Sequence, residues 1–100
     1  MAEQTDEWQI LAESIGQCSA DLLGRDHVHA LTVVLDSRFR SCTISVELHK
    51  NTSEERLRAM QRLIEVEGMF LDEVTMSFDF VEDLTRPETV LDSQRQFVAV

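Results

Sequence analysis

Asp26, His27 and His29 stand almost together in the chain, and His49 closes the second of two alternating apolar runs that begin at Val28. Imidazole and carboxylate groups in that combination are ligands for zinc or copper, provided that three or four of them converge on one point. Whether they converge depends on the strands that carry them. Leu31, Val33 and Leu35 alternate with Ala30, Thr32 and Val34, and Cys42, Ile44, Val46 and Leu48 alternate with Thr43, Ser45, Glu47 and His49. Period two is the signature of a strand. With the turn centred between Arg38 and Phe39, Leu31 faces Val46, Val33 faces Ile44 and Leu35 faces Cys42, so each pair joins two core-type residues. A slip of one residue would oppose core and solvent types throughout. In this register His27 and His29 share the face of Leu31, while His49 lies on the face of Thr43 and Ser45. The imidazoles are therefore expected on opposite sides of the sheet, with no metal site and no cofactor.

The other reactive groups point the same way. Cys18 and Cys42 fall on expected core faces, lack C-x-x-C spacing, and are read as inert, because a reactive thiol needs an exposed, electropositive setting. Glu65, Glu67, Asp72, Glu73, Asp79, Glu82 and Asp83 crowd the second half. Acid–base catalysis needs particular carboxyls held in a cleft, whereas most of these fall at element ends or on solvent faces. There is no Gly-rich phosphate loop, G-x-S-x-G elbow, H-E-x-x-H or calcium-loop spacing. The sequence assigns no catalytic residue, and a non-enzymatic role is the leading expectation.

The elements that position these groups follow from stripes and caps. Residues 5–23 predict a helix capped by Thr5, with Asp6 and Glu7 in its first turn, Trp8, Leu11, Ile15, Cys18 and Leu22 on one stripe, and Gly24 as its stop. Gly16 inside that pattern marks close packing on the sheet. After the hairpin, Thr52 and Glu55 form a capping-box pattern that opens a second helix. Leu57, Met60, Leu63 and Ile64 give this helix its apolar face, and Gly68 ends it. Val74, Met76, Phe78 and Phe80 alternate with Thr75, Ser77, Asp79 and Val81 as a third strand. Residues 82–93 form a polar connection holding the only proline, and the apolar run Gln96 to Val100 predicts a last strand covered on both faces or central in the sheet.

The expected fold is a single α+β domain over residues 1–100, in the order α-β-β-α-β-β. It is a two-layer sandwich with an antiparallel sheet of three to four strands and two helices on one face. That order resembles a ferredoxin-like split βαβ unit whose first strand has moved to the end of the chain, with the terminal strand antiparallel beside the third. Exchange of that strand with a second copy would give a swapped dimer.

With 100 residues, the chain can bury about 60 to 65% of its unfolded surface. Its formal charge of −10 argues against nucleic acid, whose phosphates need a basic surface. Only Lys50 among nine basic residues is lysine, which suits an anionic membrane poorly, and no apolar run approaches the ~20 residues of a membrane span. Two cysteines and no charged-then-apolar leader point to the cytoplasm. Charge is also polarised: residues 1–24 hold five acids and no base, residues 25–62 seven bases and five acids, and residues 63–100 nine acids and two bases.

Partner contacts are expected at the Arg38-Phe39-Arg40 tip, whose residue types are enriched at interface hot spots, and at Glu82 and Asp83. The sheet face away from the helices, with Thr43, Ser45, Glu47, His49, Thr75, Ser77 and Asp79, is expected to pack in a homodimer. The leading reading is thus a small acidic protein-interaction module that neutralises or regulates a basic protein. Its rival is a small-ligand-binding or cofactor-free enzyme domain that uses Glu47, His49 and Asp79 on the open face.

Overall fold

Helix α1, Glu7–Leu23, begins where Asp6 leaves the extended backbone and its carboxylate accepts a hydrogen bond from the Gln9 amide at 3.1 Å. Thr5, the expected cap, lies outside the described residues: the computed structural model describes residues 6–84 and 93–99. Gly24 stops the helix at φ 87°, where its N–H donates to the Ala20 carbonyl. The face turned to the sheet is Ala12, Ile15, Gly16, Ser19, Ala20 and Leu23. The expected stripe is thus rotated, with Ile15 fully buried and Trp8, Leu11 and Leu22 half-buried at the margin of the core. Small residues take the inner face because the sheet comes close there. A Cβ on Gly16 would lie 2.0 Å from Phe97 Cδ1, so this glycine does mark close packing. Ser19, fully buried, is satisfied by donating to the Ile15 carbonyl at 2.7 Å.

Strands β1, Val28–Asp36, and β2, Ser41–Leu48, form the expected hairpin with Leu31 opposite Val46, Val33 opposite Ile44 and Leu35 opposite Cys42. Asp36 shapes the turn by accepting from the Arg38 amide at 3.0 Å, and Arg40 takes a positive φ of 50°. At the other end the register breaks. Val28 pairs with Leu48 while Ala30 pairs with Glu47, leaving His29 as the extra residue of a bulge. Val28 therefore turns into the core instead of onto the open face.

Helix α2, Ser53–Met69, opens at Thr52, whose hydroxyl accepts from the Glu55 amide at 3.2 Å. Only the Thr52 half of the capping box is made in this way. The Glu55 carboxylate lies 3.5 Å from His27 Nδ1 and 3.7 Å from Arg58. The helix runs through Gly68 to Met69, because Gly68 keeps a helical backbone and the Phe70 amide closes the last turn on Glu67. Its buried face is Ala59, Leu63 and Val66, so Leu57 and Ile64, expected in the core, are exposed instead.

The α+β class, the element order and the two helices and four strands are as expected. The sheet, however, is mixed. Strand β3, Thr75–Phe80, runs parallel to β2, and β4, Gln94–Ala99, runs antiparallel to β1, giving the order β3-β2-β1-β4. The last strand lies beside the first strand, not the third, which departs from the permuted ferredoxin-like arrangement. The reason is the crossover: α2 carries the chain back along the sheet, so the strand that follows enters beside β2 in the same direction. Of the two edges then left, β3 and β1, β4 takes that of β1, where Phe97 packs against Gly16 of α1. β4 is half-buried along most of its length instead of central.

The start of α1 is tied to this edge. Arg95 Nε donates to Asp6 Oδ2 at 2.7 Å, and Gln9 Nε2 donates to the Gln96 carbonyl at 3.1 Å. The Arg95 hydrogen bond, with the Gln9 amide, holds the Asp6 carboxyl below its ordinary value of 3.8. A depressed carboxyl stabilises the fold above that ordinary value and loses the contribution as pH falls through the lower, folded value. Thermal melts of the wild type should therefore lose stability below about pH 3.8 more steeply than melts of Asp6→Asn. Parallel acid limbs for the two proteins would reject the tie.

Candidate functional site

The helix layer covers one side of the sheet. The other side presents Thr43, Ser45 and Glu47 from β2 and Thr75, Ser77 and Asp79 from β3, with Ser45 opposite Asp79 and Thr43 opposite Ser77 in parallel register. Thr43, Thr75, Ser77 and Asp79 are exposed, Ser45 is half-buried, and the neighbouring Thr32 of β1 is buried. The β2–β3 half of the face is thus mostly hydroxyls, β1 and β4 add Val34, Gln96 and Val98, and a polar cluster stands at the end where β1 begins.

There the bulge overturns the expected separation of the histidines. As the extra residue, His29 leaves the face of Leu31, and its ring meets that of His49 edge-on at 5.3 Å between centroids. His29 Nε2 lies 3.5 Å from Glu47 Oε2, and Glu47 is only 15% exposed in its side chain. His27 goes the other way, toward Glu55 of α2. His29, Glu47, Leu48, His49, Asn51 and Glu82 line an open concavity of about 370 Å³. Among the described residues no group of three or more His, Cys, Asp or Glu side chains is placed to hold a metal ion.

Glu47 also organises the chain beyond β3. Its Oε1 accepts from the Leu84 amide at 2.7 Å, which draws the bend after Phe80 onto the open side of the sheet. Glu82 and Asp83 occupy that bend, both exposed. Neither they nor Asp79 forms an ion pair with a described residue, whereas Asp6, Asp21, Asp36, Glu47, Glu55 and Glu65 each face a cationic or protonatable partner.

No family model and no curated protein matches the chain. Its surfaces must therefore be read from their own chemistry.

The Arg38-Phe39-Arg40 tip stands at the opposite end of the hairpin. β3 starts beside Ser41 and ends beside Val46, so Glu82 and Asp83 are roughly 20 Å from the tip at ~3.3 Å per residue. Phe39 is 67% exposed and does not fold back onto the helices. The Arg38 guanidinium covers one side of its ring, 4.4 Å from the centroid, and sits 3.7 Å from Asp36. Arg40 accepts from the Thr75 amide through its carbonyl, and with Glu7, Trp8, Leu11, Asp72 and Glu73 it lines a second concavity, of about 260 Å³. The tip and the acidic bend are therefore separate surfaces.

Both thiols are free. Burial pushes the Cys42 thiol up to about 12, which keeps it protonated and unreactive at neutral pH. Cys18 is only half-buried and lines an apolar groove of about 410 Å³ with Asp21, Leu22, Glu65 and Met69. No helix among the described residues is long and apolar enough to cross a membrane. The surface that sequence reasoning missed is the outer side of α2, whose Leu57 and Ile64 were assigned to the core.

Proposed function

We propose that the chain is a small acidic, non-enzymatic interaction module that neutralises or regulates a basic protein, with Asp79, Glu82 and Asp83 as its contact. The observation that carries this reading is the Leu84–Glu47 hydrogen bond. It fixes the bend that carries Glu82 and Asp83 before a partner arrives, beside the exposed Asp79 of β3, and among the described residues none of the three carboxylates is taken up by an ion pair. Preorganisation lowers the ordering cost of binding. Complementary charge favours a basic partner and speeds its encounter. Two free thiols, one of them buried, suit the reducing cytoplasm as its place of action.

The test is capture from the source cell with the wild-type chain and with Glu82→Lys/Asp83→Lys. A basic protein captured by the wild type should be lost by the variant, with an unchanged far-UV circular dichroism spectrum, and the wild-type capture should weaken as salt is raised. Retention by the charge-reversed chain would overturn the acidic contact.

A further inference from the structure

The two edges of the sheet are finished differently. Along β4 the outer edge is closed by α1: the Gln9 side chain donates to the Gln96 carbonyl at 3.1 Å, and Asp6 holds Arg95. Along β3 no described residue does the same. Thr75 and Val81 donate their N–H groups to the Arg40 and Val46 carbonyls of the hairpin, and along a regular strand the direction of these groups alternates from residue to residue. Ser77 and Asp79 therefore also turn their backbone groups to β2, while Met76, Phe78 and Phe80 turn theirs outward, where no described residue bonds them. Natural edges are blunted by lysine, proline or a bulge. β3 has none of these: it runs Thr-Met-Ser-Phe-Asp-Phe in unbroken register with β2.

Free N–H and C=O groups in a row call for another strand, and the side chains between them say which one. The outward residues Met76, Phe78 and Phe80 are spaced symmetrically about Phe78. With a second copy of β3 laid antiparallel about that residue, Phe78 meets Phe78 and Met76 meets Phe80 in both halves, and each outward residue exchanges both of its backbone hydrogen bonds. On the helix side every facing pair is then apolar. On the open side Ser77 stands opposite Asp79 of the second copy, hydroxyl to carboxylate, twice over. A centre at Asp79 would oppose two carboxylates. A centre at Ser77 would set Phe80 against Val74, whose N–H is already given to the Phe70 carbonyl.

The helix layer is unfinished on the same side. α2 meets α1 along the groove that Glu65 and Met69 line with Cys18, Asp21 and Leu22. At about 100° per residue, Glu65 and Met69 lie to one side of the buried Ala59, Leu63 and Val66, and Leu57, Met60 and Ile64 lie to the other, away from α1. α1 packs on β1 and β4 and α2 on β3, so the flank of Leu57 and Ile64, 63% and 54% exposed, stands over the open edge. Strands about 4.8 Å apart, two to each helix, set successive helices at the separation of about 8–10 Å that packed helices take. A lone peptide strand would leave that flank bare, whereas a second copy brings its own α2 beside it. We propose that the outer edge of β3 is the interface of a homodimer, in which two β3 strands pair antiparallel about Phe78 and join the two four-stranded sheets into one. The same patch serves both copies, as a two-fold dimer requires. The acidic bends follow β3 and fall at opposite ends of the joined strands, so the dimer does not depend on a basic partner.

Sedimentation equilibrium across the micromolar range, with amide hydrogen exchange on the same samples, tests it. The wild type is expected at twice the 11.5 kDa chain mass. In the dimer the amides of Met76, Phe78 and Phe80 should exchange as slowly as those of Ser77 and Asp79; in the monomer reached by dilution only Ser77 and Asp79 should remain slow. Ser77 is exposed, so the fold tolerates its replacement, which an unchanged far-UV circular dichroism spectrum verifies. Ser77→Asp sets a carboxylate against Asp79 of the second copy in both halves and should raise the dissociation constant about threefold or more, whereas Ser77→Lys should lower it. A wild-type monomer throughout the range overturns the proposal. So does a dimer whose Met76, Phe78 and Phe80 amides exchange as fast as in the monomer, or one that the two Ser77 variants fail to shift in opposite directions.

Discussion

Gly16→Ala is expected to destabilise the fold by about 1–3 kcal/mol, although alanine in an open helical position stabilises by about 0.5–1 kcal/mol over glycine. The sign is reversed by Phe97. Its Cδ1, Cε1 and Cγ lie 2.0, 2.5 and 2.6 Å from the position the new methyl would take. Cγ is the root of the ring, so a terminal rotation does not clear it. Either α1 lifts from β4 or the ring swings away, and both uncover the packing that Ala12 and Ile15 complete on the inner face of the helix. Thermal denaturation reads the result, at about 4–8 °C in Tm per kcal/mol for a chain near this size. Replacing Phe97 by Leu in the Gly16→Ala background should recover part of the loss, since residues in contact couple in a double-mutant cycle. Simple additivity of the two changes, or a raised Tm for Gly16→Ala alone, would reject the contact.

Adjacent residues of α2 should behave in opposite ways. Leu63 has no exposed surface and anchors the helix in the core with Ala59 and Val66. Leu63→Ala removes buried methyl groups and leaves a cavity, an expected loss of about 2–5 kcal/mol in urea denaturation. Ile64→Ala touches an exposed side chain and is expected to fall within about 0.5 kcal/mol of wild type in dilute solution. Equal losses for the two alanines in dilute protein would mean that α2 is turned differently on the sheet.

Much of the hairpin was legible because strand periodicity is local. The alternation of Leu31, Val33 and Leu35 against Cys42, Ile44 and Val46 is sufficient to select their pairing. The bulge was legible too, by a signal that the uniform register ignored. Continued past Ala30, that register sets Val28 against His49 and Leu48 against His29, two apolar residues against two imidazoles. Inserting one residue pairs Val28 with Leu48 and frees both histidines for the open face, as the structure shows. The separation of the histidines was thus an error of extrapolation.

The helix faces were less legible. A stripe such as Trp8, Leu11, Ile15, Cys18 and Leu22 tells which positions are apolar, not how far the helix is turned about its axis. That angle is decided by the neighbour: Phe97 rising from β4 selects the side of α1 that bears Gly16. In α2 the apolar residues span more of the circumference than the sheet covers, so Leu63 is enclosed while Leu57 and Ile64 are left outside. The acidic bend had a similar history. Glu82 and Asp83 stood out by charge alone, but their fixed presentation depends on Glu47, thirty-seven residues from Leu84 in the chain.

The sequence by itself determined the order and type of the elements, the Thr52 cap, the Gly24 stop and the central register of β1 with β2. Each of these depends on the spacing of residues along one element or across one tight turn. Only the tertiary structure decided that β3 runs parallel to β2, that β4 takes the far edge beside β1, that His29 joins His49, and that Leu57 and Ile64 of α2 are left exposed among the described residues. These outcomes depend on which distant surfaces meet and how closely, and no local period records that.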